Sequence, residues 1–281
     1  MFSKLRLTRV KIAFAKIVYK LVIPFYGKKP RVITREGINY EVDLSEGIDL
    51  SLFLFGGFQK HVTKNKLLQV PSDALILDVG GNFGLMSLPF AKTAFEGRVI
   101  AFEPTQYAIS KFKKNLQLNP ELAKRIEIIN SFVSATTTQN ANIKAFSSWK
   151  VNGEKETGEI HPVHLGTSKS AEGVGSITLN DFCKQASLTK INLIKIDTDG
   201  HEYEVLQGAK ECIAQFRPKI IFEVGQYVMK EKKIDFNFYL NYFSGFNYKL
   251  LDSKSGKEIT ALNHLRIIPE LGTIDALAIP F

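Results

Sequence analysis

Three groups of residues in this sequence combine chemistry-bearing side chains with spacing that would bring them to one place. Asp78, Gly80, Asn82 and Gly84 follow the apolar run Leu75-Ile76-Leu77 at alternate positions, with Val79 between the first two. A dinucleotide fingerprint needs Gly-x-Gly-x-x-Gly, and counting from Gly80 its third and sixth positions are Asn82 and Leu85. The residues fit better an acidic-x-Gly-x-small-x-Gly loop, whose backbone can turn sharply and admit a ligand closely. This favours a nucleoside or amino-acid ligand over a pyrophosphate; a plain strand-to-helix turn is the other reading.

Glu103 ends the apolar run Arg98–Phe102. It lies about twenty residues beyond the glycine turn, where adenosine-binding sheets hydrogen-bond the ribose. An ionised carboxylate can accept from both ribose hydroxyls. Asn130 and Ser131 close a third run, Ile126–Ile129, at a position suited to reading an adenine edge.

The third group is Asp197, Asp199, His201 and Glu202 after the run Asn192–Ile196, with Glu223 near the end of Pro218–Val224. On neighbouring strands, Asp197 and Glu223 would flank a crevice where a hydroxyl could be deprotonated or a divalent cation held. Asp197 is the preferred base, with His201 and Glu223 as alternatives. Thr198 or Asp199 could instead cap the following helix. His161 and His164 have the spacing of a metal pair, but no third ligand stands near them in sequence.

The elements that must position these groups follow from the apolar pattern. Short, nearly continuous apolar runs at 75–79, 98–102, 126–129, 192–196 and 218–224 predict parallel strands covered on both faces. Helices are expected over 59–70, 85–92, 108–118, 203–216 and 236–243, and closing strands over 247–252 and 274–280. Repeated β-α units predict an α/β, doubly wound, mostly parallel sheet with an antiparallel terminal strand. A leading hairpin is read over 32–54, and a polar, substrate-shaping insertion containing Trp149 over 134–176. Phe53, Phe55 and Phe58 around Gly56-Gly57 could pack on the sheet or cover the ligand.

Residues 1–31 carry nine lysines and arginines and no acidic residue. On a helix, Val10, Phe14, Ile17, Val18 and Leu21 share one face, with Arg9, Lys16 and Lys20 opposite. Charges interrupt the apolar runs too often for a bilayer span or a signal peptide. Two readings stay open: peripheral contact with an anionic inner leaflet, or packing on the main domain with the lysines in solvent. Across the 281 residues, 37 Lys and Arg against 28 Asp and Glu give a formal charge of +9, which suits anionic partners. Only Cys183 and Cys212 are present, which excludes a disulfide framework and suggests a reducing, cytoplasmic setting.

From about Leu50 onward the chain resembles the FkbM family of S-adenosylmethionine-dependent methyltransferases. The resemblance rests on Leu-Asp-Val-Gly-Gly-Asn-Phe-Gly, Ala-Phe-Glu-Pro, Lys-Ile-Asp-Thr-Asp-Gly-His-Glu with Val-Leu-Gln-Gly-Ala after it, and Pro-Lys-Ile-Ile-Phe-Glu-Val, in that order. Gly81 stands where alanine is usual in the family, and Thr198-Asp199 where Val-Glu is commoner. The resemblance implies a class I methyltransferase fold over 32–281 and O-methylation of hydroxyls in macrolide-type natural products or in sugars of surface glycans. It implies S-adenosylmethionine as cofactor, its methionine part at Asp78, Gly80, Asn82 and Gly84 and its ribose at Glu103. The acceptor expected is a small molecule or saccharide, foremost a glycan sugar or its lipid-linked precursor, met by a protein peripheral on the inner membrane face. No nucleic acid is expected: the Asn/Asp-Pro-Pro-aromatic loop of many base-methylating enzymes is missing after Ile196, and the basic residues gather at the amino terminus rather than around the pocket. A non-catalytic scaffold that keeps the fold is the remaining alternative.

Overall fold

The computed structural model describes residues 2–56, 59–147, 150–152, 159, 167–270 and 272–281. A long helix, α1 (Phe2–Tyr26), precedes a hairpin of β1 (Arg31–Arg35) and β2 (Ile38–Val42), then α2 (Gly47–Phe55) and the single turn α3 (Lys60–Thr63). The first half of the core is β3 (Leu75–Val79), α4 (Ser87–Thr93), β4 (Arg98–Phe102), α5 (Gln106–Gln117), α6 (Pro120–Ala123) and β5 (Ile126–Ile129). Four short strands follow, β6 (Phe132–Val133), β7 (Ala145–Ser147), β8 (Thr167–Lys169) and β9 (Ser176–Ile177). The second half is α7 (Leu179–Gln185), β10 (Leu193–Ile196), α8 (Glu202–Gln207), α9 (Lys210–Phe216), β11 (Lys219–Gly225), α10 (Gln226–Glu231) and α11 (Phe236–Ser244). Last come β12 (Tyr248–Asp252), α12 (His264–Ile267) and β13 (Thr273–Pro280).

Seven strands make one sheet in the order β12-β13-β11-β10-β3-β4-β5. β3 pairs in parallel with β4 on one side and β10 on the other, so the chain winds outward to β5 and then crosses back. The carboxyl ends of β3 and β10 are therefore a topological switch point, the place where open α/β sheets bind ligands. β13 lies antiparallel between β11 and β12, as expected of the terminal strand. Alternate residues face two apolar layers. Leu75, Leu77, Val79, Ile194 and Ile196 pack toward α7–α9 and α11, and Ile76, Leu193 and Ile221 pack toward α4 and the amino-terminal elements.

Several boundaries depart from the sequence pattern. The helix expected over 203–216 is broken into α8 and α9 at Gly208. The Gly208 carbonyl accepts from the Asn180 N–H at 2.9 Å, and a side chain there would come within 2.2 Å of the Ser134 carbonyl oxygen. The hairpin ends at Val42, and residues 47–55 of the segment read as part of it are helical, with Leu50 and Leu52 buried. An apolar run of that length fits a buried strand or a short helix equally well. The helix expected over 59–70 is reduced to α3 and a 3-10 turn, Lys66–Leu68, capped by the Asn65 side chain. α4 starts at Ser87 rather than Leu85, which puts Pro89 in the first turn, where its missing N–H leaves no gap.

The 134–176 segment is anchored at three points. β6 pairs with β9 and β7 with β8, and Lys150 bridges to Glu46. Gly57, Phe58, Trp149, His161 and His164 lie outside the described residues.

Candidate functional site

A cavity of about 300 Å³ opens at the carboxyl ends of β3, β4, β10 and β11. Gly80 makes it possible. Its φ is +79°, and a side chain there would fall 1.8 Å from the Asp197 carbonyl oxygen, so the turns after β3 and β10 touch backbone to backbone. The N–H groups of Gly80 and Gly81 both donate to the Phe102 carbonyl, at 3.0 and 2.9 Å, which ties the turn to the end of β4. Asn82 holds a left-handed φ of +48° and lines the cavity with both glycines.

Glu103 lies in the cavity wall at 6% exposure. One carboxylate oxygen accepts from the Asn82 N–H at 2.9 Å, and the other accepts from the N–H and hydroxyl of Thr105 at 2.9 and 2.6 Å. Burial pushes its pKa above the usual glutamate value, against the hydrogen bonds from Thr105 and Asn82. Ser131 also lines the cavity, its hydroxyl donating to the carbonyls of Phe132 and Gly175. Three other candidates are not in this wall. Gly84, with φ +90°, packs against Phe112. The exposed Asn130 side chain donates to the carbonyls of Glu103 and Pro104 and so braces the bend after β4. Asp78 is fully buried behind the glycine turn, where it accepts from the Ser87 hydroxyl.

Asp78 has a further partner that the sequence reading gave no role, Lys195. The two residues are register partners on β3 and β10, with Lys195 Nζ 3.0 Å from Asp78 Oδ1 and 3.8 Å from Asp197 Oδ2. The ammonium also donates to the Gly80 carbonyl at 2.7 Å. Burial works against its charge, but the Asp78 and Asp197 carboxylates hold its pKa above that of an ordinary lysine. A readable signal existed: a charged residue inside the otherwise apolar Leu193–Ile196 strand needs a buried partner.

Asp197, His201 and Glu223 all reach the cavity. Asp197 accepts from the Gln59 side-chain amide at 3.4 Å, a contribution from before α3 that sequence spacing could not show. The Gln59 amide oxygen, Oε1, is buried with no hydrogen-bond partner among the described residues, and Gln59 lines the cavity. Glu223 accepts from the Thr273 hydroxyl; burial, then the charges of Asp197 and Glu202, push its pKa well above the usual range. His201 Nδ1 lies 3.3 Å from the Lys232 ammonium, and burial together with that charge lowers its pKa. Glu204 Oε2 lies 4.0 Å from the same nitrogen, so His201 meets a carboxylate as well as a cation.

The alternative reading of this cluster, as a helix cap, is not what the loop shows. No side chain of Thr198 or Asp199 caps α8. Glu202 folds back instead, one oxygen accepting from the Thr198 N–H at 2.8 Å, the Thr198 hydroxyl at 2.9 Å and the Gly200 N–H at 3.3 Å. The reason is the loop itself: Asp199 at φ +52° and Gly200 at φ +102° turn these N–H groups toward the first helical residue. As for a divalent cation at Asp197 and Glu223, no group of three or more His, Cys, Asp or Glu side chains among the described residues is arranged to hold one.

Residues 78–250 match the protein-family model described as the methyltransferase FkbM domain. Over 147 residues the chain is 28% identical to "Methyltransferase 1" of Beauveria bassiana (strain ARSEF 2860), covering 49% of this chain and 59% of that protein. Over 161 residues it is 29% identical to "2-O-methyltransferase NoeI" of Sinorhizobium fredii (strain NBRC 101917 / NGR234), covering 54% and 63%. The chain thus matches less than two thirds of the length of these curated relatives. Among solved structures, the methyltransferase FkbM from Methylobacillus flagellatus KT aligns with a TM-score of 0.46 at 16% identity, over 74% of this chain and 44% of that one.

Proposed function

Because the chain belongs to the FkbM family of S-adenosylmethionine-dependent methyltransferases, we propose that its strand-end cavity methylates a hydroxyl oxygen, that of a sugar in a surface glycan or in its lipid-linked precursor. When bound, S-adenosylmethionine supplies an electrophilic methyl group on a sulfonium sulfur. The observation that carries the reading is the excess of carboxylates in the cavity: Glu103, Asp197, Asp199 and Glu223 line it against Lys144 and Lys195, in a chain of net charge +9. Such a wall suits a cofactor with a sulfonium and an ammonium and opposes the phosphates of a nucleic acid. The buried Gln59 Oε1, which has no partner among the described residues, is an acceptor for an ammonium, and Glu103 stands at the strand end suited to the ribose.

The work left to the protein is alignment and removal of one proton. Asp197 is assigned the proton of the acceptor hydroxyl, with its carboxylate oriented by Gln59 and Lys195. Asp78 and Lys195 hold the glycine turn from behind. Glu223 is the alternative base. The relative named a 2-O-methyltransferase supports oxygen as the accepting atom. Methyl transfer measured against sugar nucleotides, lipid-linked saccharides and small-molecule alcohols, with and without a divalent cation, tests the proposal; transfer to none of the hydroxyl acceptors, or only to RNA or DNA, would reverse it.

The amino-terminal helix supports the lipid-linked option. Tyr19 is buried against the domain, whereas Phe14, Ile17, Leu21 and Phe25 are 60%, 58%, 66% and 85% exposed along one stripe of α1, with Lys16 and Lys20 also in solvent. The helix thus has an apolar side for the domain and a second, exposed one, and we propose that the second rests on an anionic membrane at its cytoplasmic face. Among the described residues no helix is long and apolar enough to cross a membrane.

A further inference from the structure

Beyond Glu223, on the side away from the glycine turn, the segment from β12 to β13 rises from the same edge of the sheet as the cavity. β11 and β12 are both antiparallel to β13, so residues 253–272 leave and re-enter at the carboxyl ends of the parallel strands. Together with the start of α10 this segment encloses a second groove, of about 540 Å³, whose wall includes Lys254, Leu265, Arg266, Gln226 and Thr273. The groove and the cavity meet at one hydrogen bond, from the Thr273 hydroxyl to the Glu223 carboxylate. Lys254 follows Ser253, whose N–H donates to the Asp275 carbonyl at 3.0 Å, and Asp275 is the register partner of Glu223.

The cavity wall holds more carboxylates than ammonium groups, whereas the groove wall holds Lys254 and Arg266. Lys254 and Arg266 make no ion pair among the described residues, and the acidic residue in the groove wall, Glu270, lies 3.8 Å from Lys230. A phosphorylated sugar could not place its phosphate against Asp197 and Glu223, but it could leave the phosphate in the groove and extend a hydroxyl past Thr273. A guanidinium and an ammonium in the wall of one groove suit a phosphate or diphosphate, the first as a two-pronged donor and the second as a point charge.

We propose that this groove is the acceptor's phosphate subsite, a proposal that rests on the hydroxyl-methylation reading above and narrows it to phosphate-bearing sugars. The phosphate could belong to a soluble nucleotide sugar or to a lipid-linked saccharide. Leu265, 66% exposed, stands in the groove wall, and Leu262, 95% exposed, lies nearby in sequence; both would meet the lipid chain of the second kind.

The test is a phosphorus NMR titration of the full chain with pyrophosphate, UDP-glucose and farnesyl diphosphate, repeated on the Lys254→Ala/Arg266→Ala variant, with S-adenosylmethionine affinity measured calorimetrically on the same samples. Both substitutions are at the surface, and a retained melting temperature shows that the variant folds. Expected is phosphate binding that weakens by roughly tenfold or more in the variant, as loss of charge-assisted hydrogen bonds implies, with cofactor affinity unchanged. UDP-glucose binding more tightly than farnesyl diphosphate assigns the soluble source, and the reverse assigns the lipid. Pyrophosphate that fails to bind the native chain, or binds the variant equally well, overturns the subsite. Phosphate binding without any cofactor binding would support the groove while removing the methyl-transfer reading.

Discussion

Glu103 Oε2 accepts the backbone N–H of Asn82 at 2.9 Å, so the carboxylate at the end of β4 and the turn after β3 form one unit. A ligand that engages Glu103 therefore meets a turn already fixed in shape, and removing the carboxylate frees the turn as well. Glu103→Ala is expected to weaken S-adenosylmethionine binding roughly ten- to hundredfold by calorimetry, about 1.4–2.8 kcal/mol. Unchanged affinity would remove Glu103 from the cofactor site.

Asp197→Asn keeps the size of the side chain and can still hydrogen-bond Gln59, but it cannot take a proton. Turnover should fall by a factor of about 10²–10⁴, the range of a lost general base, while cofactor affinity falls far less than that. A variant as active as the native enzyme would shift the assignment to Glu223.

Lys195→Met would leave the fully buried Asp78 carboxylate with the Ser87 hydroxyl and no counter-charge. Breaking a buried pair from one side costs about 3–5 kcal/mol, read as a lower midpoint in urea unfolding. Changing Asp78 to Asn in the same chain should recover part of that loss.

The raised carboxylates make a pH prediction with a definite sign. Glu103, Glu202 and Glu223 are each held above the usual 4.5, burial being the largest cause in each case. The folded protein keeps protons that the unfolded chain releases, so this contribution to stability is complete below pH 4.5 and is lost as pH rises through the raised values. A cationic ligand favours the ionised forms and expels those protons. S-adenosylmethionine affinity should therefore increase with pH, and more steeply than that of S-adenosylhomocysteine, which lacks the sulfonium charge. Equal pH slopes for the two ligands would contradict the electrostatic account of the cavity.

Removing residues 1–31 should abolish or sharply reduce sedimentation with anionic vesicles and leave methylation of a soluble acceptor in place. Salt should weaken the binding of the native chain, because surface charges are screened beyond about 8 Å at physiological ionic strength. Undiminished vesicle binding by the truncated protein would refute the role given to α1.

The sheet was readable because buried parallel strands are written as apolar runs, and β3, β4 and β10 stand within a residue of where Leu75–Val79, Arg98–Phe102 and Asn192–Ile196 predict them. The residues that long-range contacts choose were harder to read. Gln59 reaches Asp197 across 138 positions, and Gly208 breaks its helix because Asn180 and Ser134 approach it. Asp78 fits a ligand-loop pattern by spacing, yet strand alternation turns its carboxylate toward Lys195 and Ser87. The basic amino terminus read as a single apolar face, whereas α1 is apolar on two, and only the packed domain distinguishes them.

The pairing of Lys195 with Asp78 also bears on how the chain reaches its native state. Both side chains lie on the layer shared by Ile76 and Leu193, whereas Leu77, Val79, Ile194 and Ile196 occupy the opposite one. If β10 docked on β3 one residue out of step, Lys195 would enter that apolar layer without a counter-ion. The central strand pair thus carries an internal check against misalignment, and the same two charges that brace the glycine turn make a mispaired sheet expensive before any cofactor is present.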